Sequence, residues 1–502
     1  VPTGVIDISN GQVASAEDTP GRARTVTNFL PDVLGNNVVR PGISNATFDP
    51  TNSRVASGTN ADVIGAYVWT NPVDRTDYLI YVRRDRTIWA KNLLTLVKTA
   101  LSSAVITTQL DGNAGRVTFA EDSGRLILAG GGQLQTWAGV IGVLSSRLAA
   151  FTLGVNQPPL GCTHVVKLAN YVVANNQYPG SLNQFIWSAI GDGSDGTWPP
   201  LNFNTADARP DPVIAVWENL RELYIFGTQT IQTYGITADS ALPFQASASV
   251  GLGTTSPYSI IRLDTTFALL DNQKRFVSTD GRGFDVMSDA IAKTIQDIST
   301  VSDCWGFRAI IGHWDLLVWV FPAAKTAYYY EQNQKKWGTL RGWNGTDDFT
   351  AIRIGAYVYW PGGGMHMIGD SLYDNIFTWE PSVTTDVSPA GTATLPIVAE
   401  RITGRISYDT TKRKRRNGVR VTLRRGSATQ VGSSIEIAKA DDDGPWSSPT
   451  TLDLGTTAGD LSSSRPWYPG GVYRRAQYRL RYSNAAENTV VGIEEDYSVM
   501  AS

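Results

Sequence analysis

The chain is poor in the residues that most often carry chemistry. Of its 502 residues only two are cysteine and three are histidine. Cys162 and Cys304 make no disulfide framework, and they suit folding in a reducing cytoplasm, where both are expected as free thiols. His164, His313 and His366 are widely spaced without a ligand pattern between them, so no metal site and no cofactor is expected. No apolar run reaches membrane-spanning length and no signal-peptide pattern opens the chain, which is therefore expected to be soluble. A net charge of −3 argues against wholesale attraction to nucleic acid or anionic membranes. Helical periodicity is scarce as well. Its one clear instance is residues 288–298, where Ile291, Ile295 and Ile298 share a face and Ser288 is placed to cap the N-terminus.

What the chain does have is 48 glycines, 20 tyrosines and 15 tryptophans, a composition of many short strands joined by tight turns. A hairpin-like unit recurs: an apolar strand, a turn, and a second strand that often ends in an aromatic. Asp77-Tyr78-Leu79-Ile80-Tyr81-Val82 turns into Thr87-Ile88-Trp89, and Arg125-Leu126-Ile127-Leu128 turns at Gly130-Gly131-Gly132 into Leu134-Gln135-Thr136-Trp137. Similar units begin at Tyr171, Leu223, Phe267, Leu316 and Tyr357. Their starts are 41 to 52 residues apart, the period of four-stranded propeller blades. The expected fold is all-β: a β-propeller of six or seven blades over residues 42–380, with a pair of stacked sheets as the alternative. Residues 1–41 read as an N-terminal arm. The Pro- and Thr-rich residues 381–396 read as a linker, and the alternating strands of residues 397–502 as a C-terminal β module.

Several segments resemble a known family. Phe203-Asn204-Thr205-Ala206-Asp207, Pro210-Asp211-Pro212-Val213-Ile214, Arg221-Glu222-Leu223-Tyr224-Ile225-Phe226-Gly227, Leu242-Pro243-Phe244, Ser256-Pro257-Tyr258-Ser259 and Ser288-Asp289-Ala290-Ile291 follow one another as they do in the packaged-DNA stabilisation proteins of short-tailed phages. The Arg40-Pro41-Gly42-Ile43 turn also fits, and the resemblance spans roughly residues 40 to 380. It implies a propeller-bearing structural protein of the virion, a tail nozzle or hub assembled in the host cytoplasm. Such a protein forms a ring, expected to be a hexamer, below the portal and its adaptor. It is further implied to meet tail fibres or tailspikes, to retain packaged DNA, and to touch the genome transiently during ejection.

The strongest charge feature is Lys412-Arg413-Lys414-Arg415-Arg416. Residues 401–425 hold ten Lys/Arg against one acid, a net +9; residues 391–502 sum to +4 and residues 1–390 to −7. Such a run suits phosphate contacts with steep salt dependence. It equally suits a solvated hairpin turn or a patch that docks an acidic neighbouring subunit. A channel that must let a genome slide gains nothing from tight contacts, so docking is the expectation.

Nothing points to catalysis, and the chain is expected not to be an enzyme. Asp441-Asp442-Asp443-Gly444 and Asp192-Gly193-Ser194-Asp195-Gly196 lack the remaining ligands of a calcium loop and read as turns. Gly130-Gly131-Gly132 and Gly362-Gly363-Gly364 lack a phosphate-loop ending. Glu218, Glu222 and Glu331 cannot be assigned as a glycosidase pair. The aromatic clusters Tyr328-Tyr329-Tyr330 and Tyr357, Tyr359, Trp360 suit either core packing or sugar binding. A carbohydrate-binding or sialidase-like propeller for host-receptor recognition is the alternative function.

Overall fold

The computed structural model describes residues 3–6, 23–44, 62–101, 115–132, 134–139, 149–150, 161–176, 181–193, 198–388, 393–425, 434–453, 461–463, 466–483 and 488–500. Seven four-stranded antiparallel units follow one another from strand Val63–Thr70 to strand Ile376–Glu380. The blade count is therefore seven. Six of the hairpins legible in the sequence are the two middle strands of a blade. The last, from Tyr357, is the first pair of its blade, which explains the unequal spacing.

Each blade buries its faces against the next, because one twisted sheet cannot cover both of its apolar sides. Seven inter-blade cores result, such as Ile64, Trp69 and Tyr78 of the first blade with Leu126 and Trp137 of the second. The seventh blade closes the circle on the first through Leu79, Tyr81, Met367 and Ile376. Its outermost strand is not local: Gly42–Ser44 pairs with Ile376–Glu380, so a strand from before the first blade completes the last. Gly42 is required there, since a Cβ would overlap the main chain of Thr385.

Three local expectations need correction. Residues 288–298 form a 3-10 turn, Asp289–Ile291, and a short helix, Ala292–Gln296. Ser288 does not cap it; its Oγ accepts the Phe276 N–H at 3.0 Å. Ile291, Ile295 and Ile298 fill the core between the fifth and sixth blades. Residues 381–396 are not a loose linker, because Thr385–Val387 and Thr394–Pro396 pair as a hairpin and Asp386 forms an ion pair with buried Arg40.

The described residues of 1–41, finally, form no separate arm. Thr3–Ile6, Phe29–Pro31 and Asn37–Val39 join Lys414–Arg425 and Asn488–Val499 in one sheet. Ala23–Thr27 joins Ala399–Thr403, Ala476–Tyr482 and Ser434–Asp441 in the other. The two sheets form a β-sandwich over one core that includes Ile6, Val26, Val421, Ile437 and Leu480. Thr27 also pairs in parallel with Thr339 of the sixth blade, so the second sheet runs on into the propeller.

Candidate functional site

The first strands of the blades, or residues just before them, surround one cavity of about 320 Å³ on the propeller axis. The strand alternation that puts large side chains between blades also points aromatics at this axis. Tyr67 stacks on Phe119 at 5.3 Å, Phe307 on Tyr357 at 4.4 Å and His164 on Tyr258 at 4.8 Å between ring centroids. The Arg116 guanidinium lies 3.6 Å from the Trp305 ring centroid and donates to the Gly355 carbonyl. Arg116 and Trp305 also line a second chamber of about 240 Å³, beside the Arg84–Asp62 pair at 2.9 Å.

Burial, and after it the Arg84 charge, lower the Arg116 pKa, but arginine starts so high that it stays cationic near neutrality. Burial likewise lowers His164 to about 3, against a smaller upward pull from the Pro257 carbonyl. Its ring is therefore neutral, with Thr163 Oγ 3.0 Å from Nδ1.

Among the described residues no carboxylate lines the axial cavity, and Glu121 accepts the hydroxyl of the lining Tyr67 at 2.7 Å. Glu218 pairs with Arg262, Glu222 with Arg282 at 2.8 Å, and Glu331 accepts the Gln334 N–H at 2.6 Å. Tyr329 is buried and donates to the Phe29 carbonyl. Tyr357 hydroxyl bonds His366 Nδ1 at 2.8 Å, and Trp360 Nε1 donates to Asp77 at 2.8 Å. These aromatics are packing residues.

The remaining sequence features resolve as structure. Among the described residues no group of acids, histidines and cysteines is placed to hold a metal, and both cysteines are buried. Asp442 and Asp443 take φ of +49° and +61° in a tight turn that the Gly444 N–H closes on the Asp441 carbonyl at 2.8 Å. Trp198 is buried against Gly193, while residues 194–197 lie outside the described residues. The family-like Asp211 accepts the N–H groups of Thr228, Gln229 and Thr230, each at 2.8 Å, and fixes that turn.

The basic run is not one patch. Lys412, Arg413 and Arg415 are exposed, whereas Lys414 and Arg416 are buried. It is also not a hairpin turn, since Lys414 begins a twelve-residue strand. Arg416 donates to Glu495 at 3.1 Å, to Asp441 at 2.7 Å and to the Tyr478 hydroxyl at 2.7 Å. Burial works against the Arg416 charge, but Tyr478, Asp441 and Glu495 more than offset it and raise its pKa. Glu495 also accepts from the Tyr473 and Tyr408 hydroxyls, at 2.6 and 2.9 Å. Lys414 donates to the carbonyls of Thr410 and Lys412. The sequence signal for this split was the strand period of two, obscured by a register shift between Arg416 and Gly418 that swaps which face each side chain takes.

The family described as "Bacteriophage P22 Gp10, beta-propeller" matches residues 90–384. No curated protein matches the sequence. Among solved structures, the exo-beta-1,3-galactanase of Phanerochaete chrysosporium with galactose is similar at 8% identity, over 91% of this chain and 100% of that one, with a TM-score of 0.27. A variant of that enzyme with beta-1,3-galactotriose gives 8% identity, 90% and 99% coverage, and the same TM-score of 0.27. Likeness at that level carries no argument.

Proposed function

Because the chain belongs to the bacteriophage P22 Gp10 β-propeller family, we propose that this structural protein is a tail nozzle or hub subunit. Copies form a ring, expected to be hexameric, below the portal and its adaptor. The ring retains packaged DNA, conducts it during ejection, and offers its outside to tail fibres or tailspikes. Assembly takes place in the host cytoplasm, before the chain enters the virion. The protein acts by shape and contacts rather than by catalysis.

The observation that carries this reading is the closed axis. Stacked rings and the Arg116–Trp305 pair leave a cavity of only about 320 Å³. A duplex whose major groove alone is ~12 Å wide cannot pass it. DNA must therefore run between subunits, with each propeller as a piece of the wall. A carbohydrate-binding propeller is the less favoured reading, because the axial rings stack on one another in pairs.

The test is to assemble particles without the chain and measure how much packaged DNA becomes accessible to nuclease. Loss of tail completion with leakage of the genome is expected. Particles that complete their tails and hold their DNA without the chain would overturn the reading.

A further inference from the structure

Two exposed regions on different sides of the molecule are left unsatisfied by its own fold. The first is the basic end of the sandwich. Its described ion pairs go to Arg405, Arg416 and Lys439, and Lys412, Arg413 and Arg415 have no carboxylate partner among the described residues. Val472 and Ser498 pair with Arg415, and Val499 pairs with Lys414. Val472 is 45% exposed on the Arg415 face and Met500 is 42% exposed beside Arg413, whose carbonyl accepts the Met500 N–H, whereas Val499 lies on the other face with Lys414. An apolar patch with methionine, rimmed by arginines, has the composition of a protein interface.

This end points away from the propeller. The second sheet joins the sixth blade at Thr27, which pairs with Glu400. The opposite end of that sheet runs through Ala23–Thr403 and Ile406–Ala476 to the basic run.

The second region is a trough of about 850 Å³ between the outer strands of the third and fourth blades, with Asp207, Asp239 and Leu242 in its lining. Both aspartates are exposed, and no described cation pairs with either; Arg209 stands in the same turn as Asp207 without bonding it. Leu242 and Ile236 are exposed beside them. The fourth blade's outer strand, Phe244–Val250, is seven residues long and pairs only with Ile231–Ile236. Outer strands of the first, second, third and fifth blades have two or three residues. The edge carries neither charge nor proline, and a bulge at Ser247 interrupts it. The trough lies two to three blades around the axis from the sandwich's attachment at the sixth blade.

Given that copies assemble into rings, as proposed above, we propose that the basic end of one copy docks in the blade-three to blade-four trough of the next. Arg413 and Arg415 meet Asp207 and Asp239, and Val472 and Met500 cover Leu242 and Ile236. The contact is head-to-tail between different surfaces, the kind that closes a ring when its rotation permits. Exposed ion pairs contribute little, so the apolar contact supplies affinity and the charges set register and encounter rate.

The buried native thiols make a clean test available, because Cys162 and Cys304 are fully buried. Arg413→Cys and Asp239→Cys in one chain, treated folded and concentrated with a short bis-maleimide, should give a ladder that ends at the closed ring. Either single variant should give no cross-linked ladder. No ladder from the double variant, while wild-type protein forms rings by native mass spectrometry, overturns this interface alone. A cross-linked dimer from Arg413→Cys alone means that like surfaces meet, and also overturns it. Wild-type protein that stays monomeric at every concentration overturns the ring and the interface together. In a second arm, Asp207→Lys with Asp239→Lys should weaken association roughly tenfold or more, and adding Arg413→Asp with Arg415→Asp should restore it. Unchanged association in the lysine variant contradicts the docking.

Discussion

The propeller axis and the sandwich core bury polar groups in opposite ways. On the propeller axis, His164 is held neutral and Arg116 lies against an aromatic ring. Seven apolar interfaces share the load of holding the blades together. The sandwich instead buries a charged set, Arg416 with Glu495 and Asp441, ringed by Tyr408, Tyr473 and Tyr478. A buried pair is sensitive to the loss of one partner but tolerant of replacing both. The repeat-built part should therefore degrade gradually under substitution, and the charge-built part abruptly.

The largest expected effect follows from that contrast. Arg416→Met strands Glu495 in the core and should cost ~3–5 kcal/mol, melting the sandwich before the propeller. Arg416→Met with Glu495→Leu should recover most of the loss. Calorimetry that finds the single variant as stable as the parent breaks the comparison. Gly42→Val comes next, since it pushes the closing strand off Thr385. Overpacking of this kind costs ~1–3 kcal/mol, and faster hydrogen exchange confined to the first and seventh blades would register it.

A smaller effect is set by pH. His164 titrates at about 3 when folded against ~6.5 unfolded. The unfolded chain thus binds the extra proton between those values. The stabilisation is complete above the unfolded value and is lost as pH falls below it, by ~2 kcal/mol at pH 5. His164→Asn should flatten that part of the stability profile, and an unchanged profile would show that burial does not hold the ring neutral. The smallest effect belongs to the exposed cations. Lys412, Arg413 and Arg415 changed to serine should alter stability by no more than ~0.5 kcal/mol while impairing assembly. Changing all five residues of the run should also unfold the sandwich.

The propeller was legible because its middle strands carry their burial in the sequence. Leu79, Ile80, Tyr81 and Val82 are all buried, and units like theirs return at blade spacing. The outermost strands were not, because Lys98–Ala100 and Ala149–Ala150 are too short to hold a pattern. Nor could Gly42–Ser44 or Thr3–Ile6 announce partners hundreds of residues away. The axial site was half legible. Tyr357 stood out as an aromatic, but Arg116 and Trp305 gain meaning only when separate blades bring them together. In the basic run the charge was plain, whereas its division between core and surface depended on the register shift at Arg416 and Gly418.

The most direct test of the structural reading is an image of the assembled tail fine enough to show individual propellers. A ring of copies of this chain is expected, with the duplex running through the hole they enclose and no nucleic acid on any propeller axis. A tail without the chain, or a duplex threading a propeller axis, would contradict it.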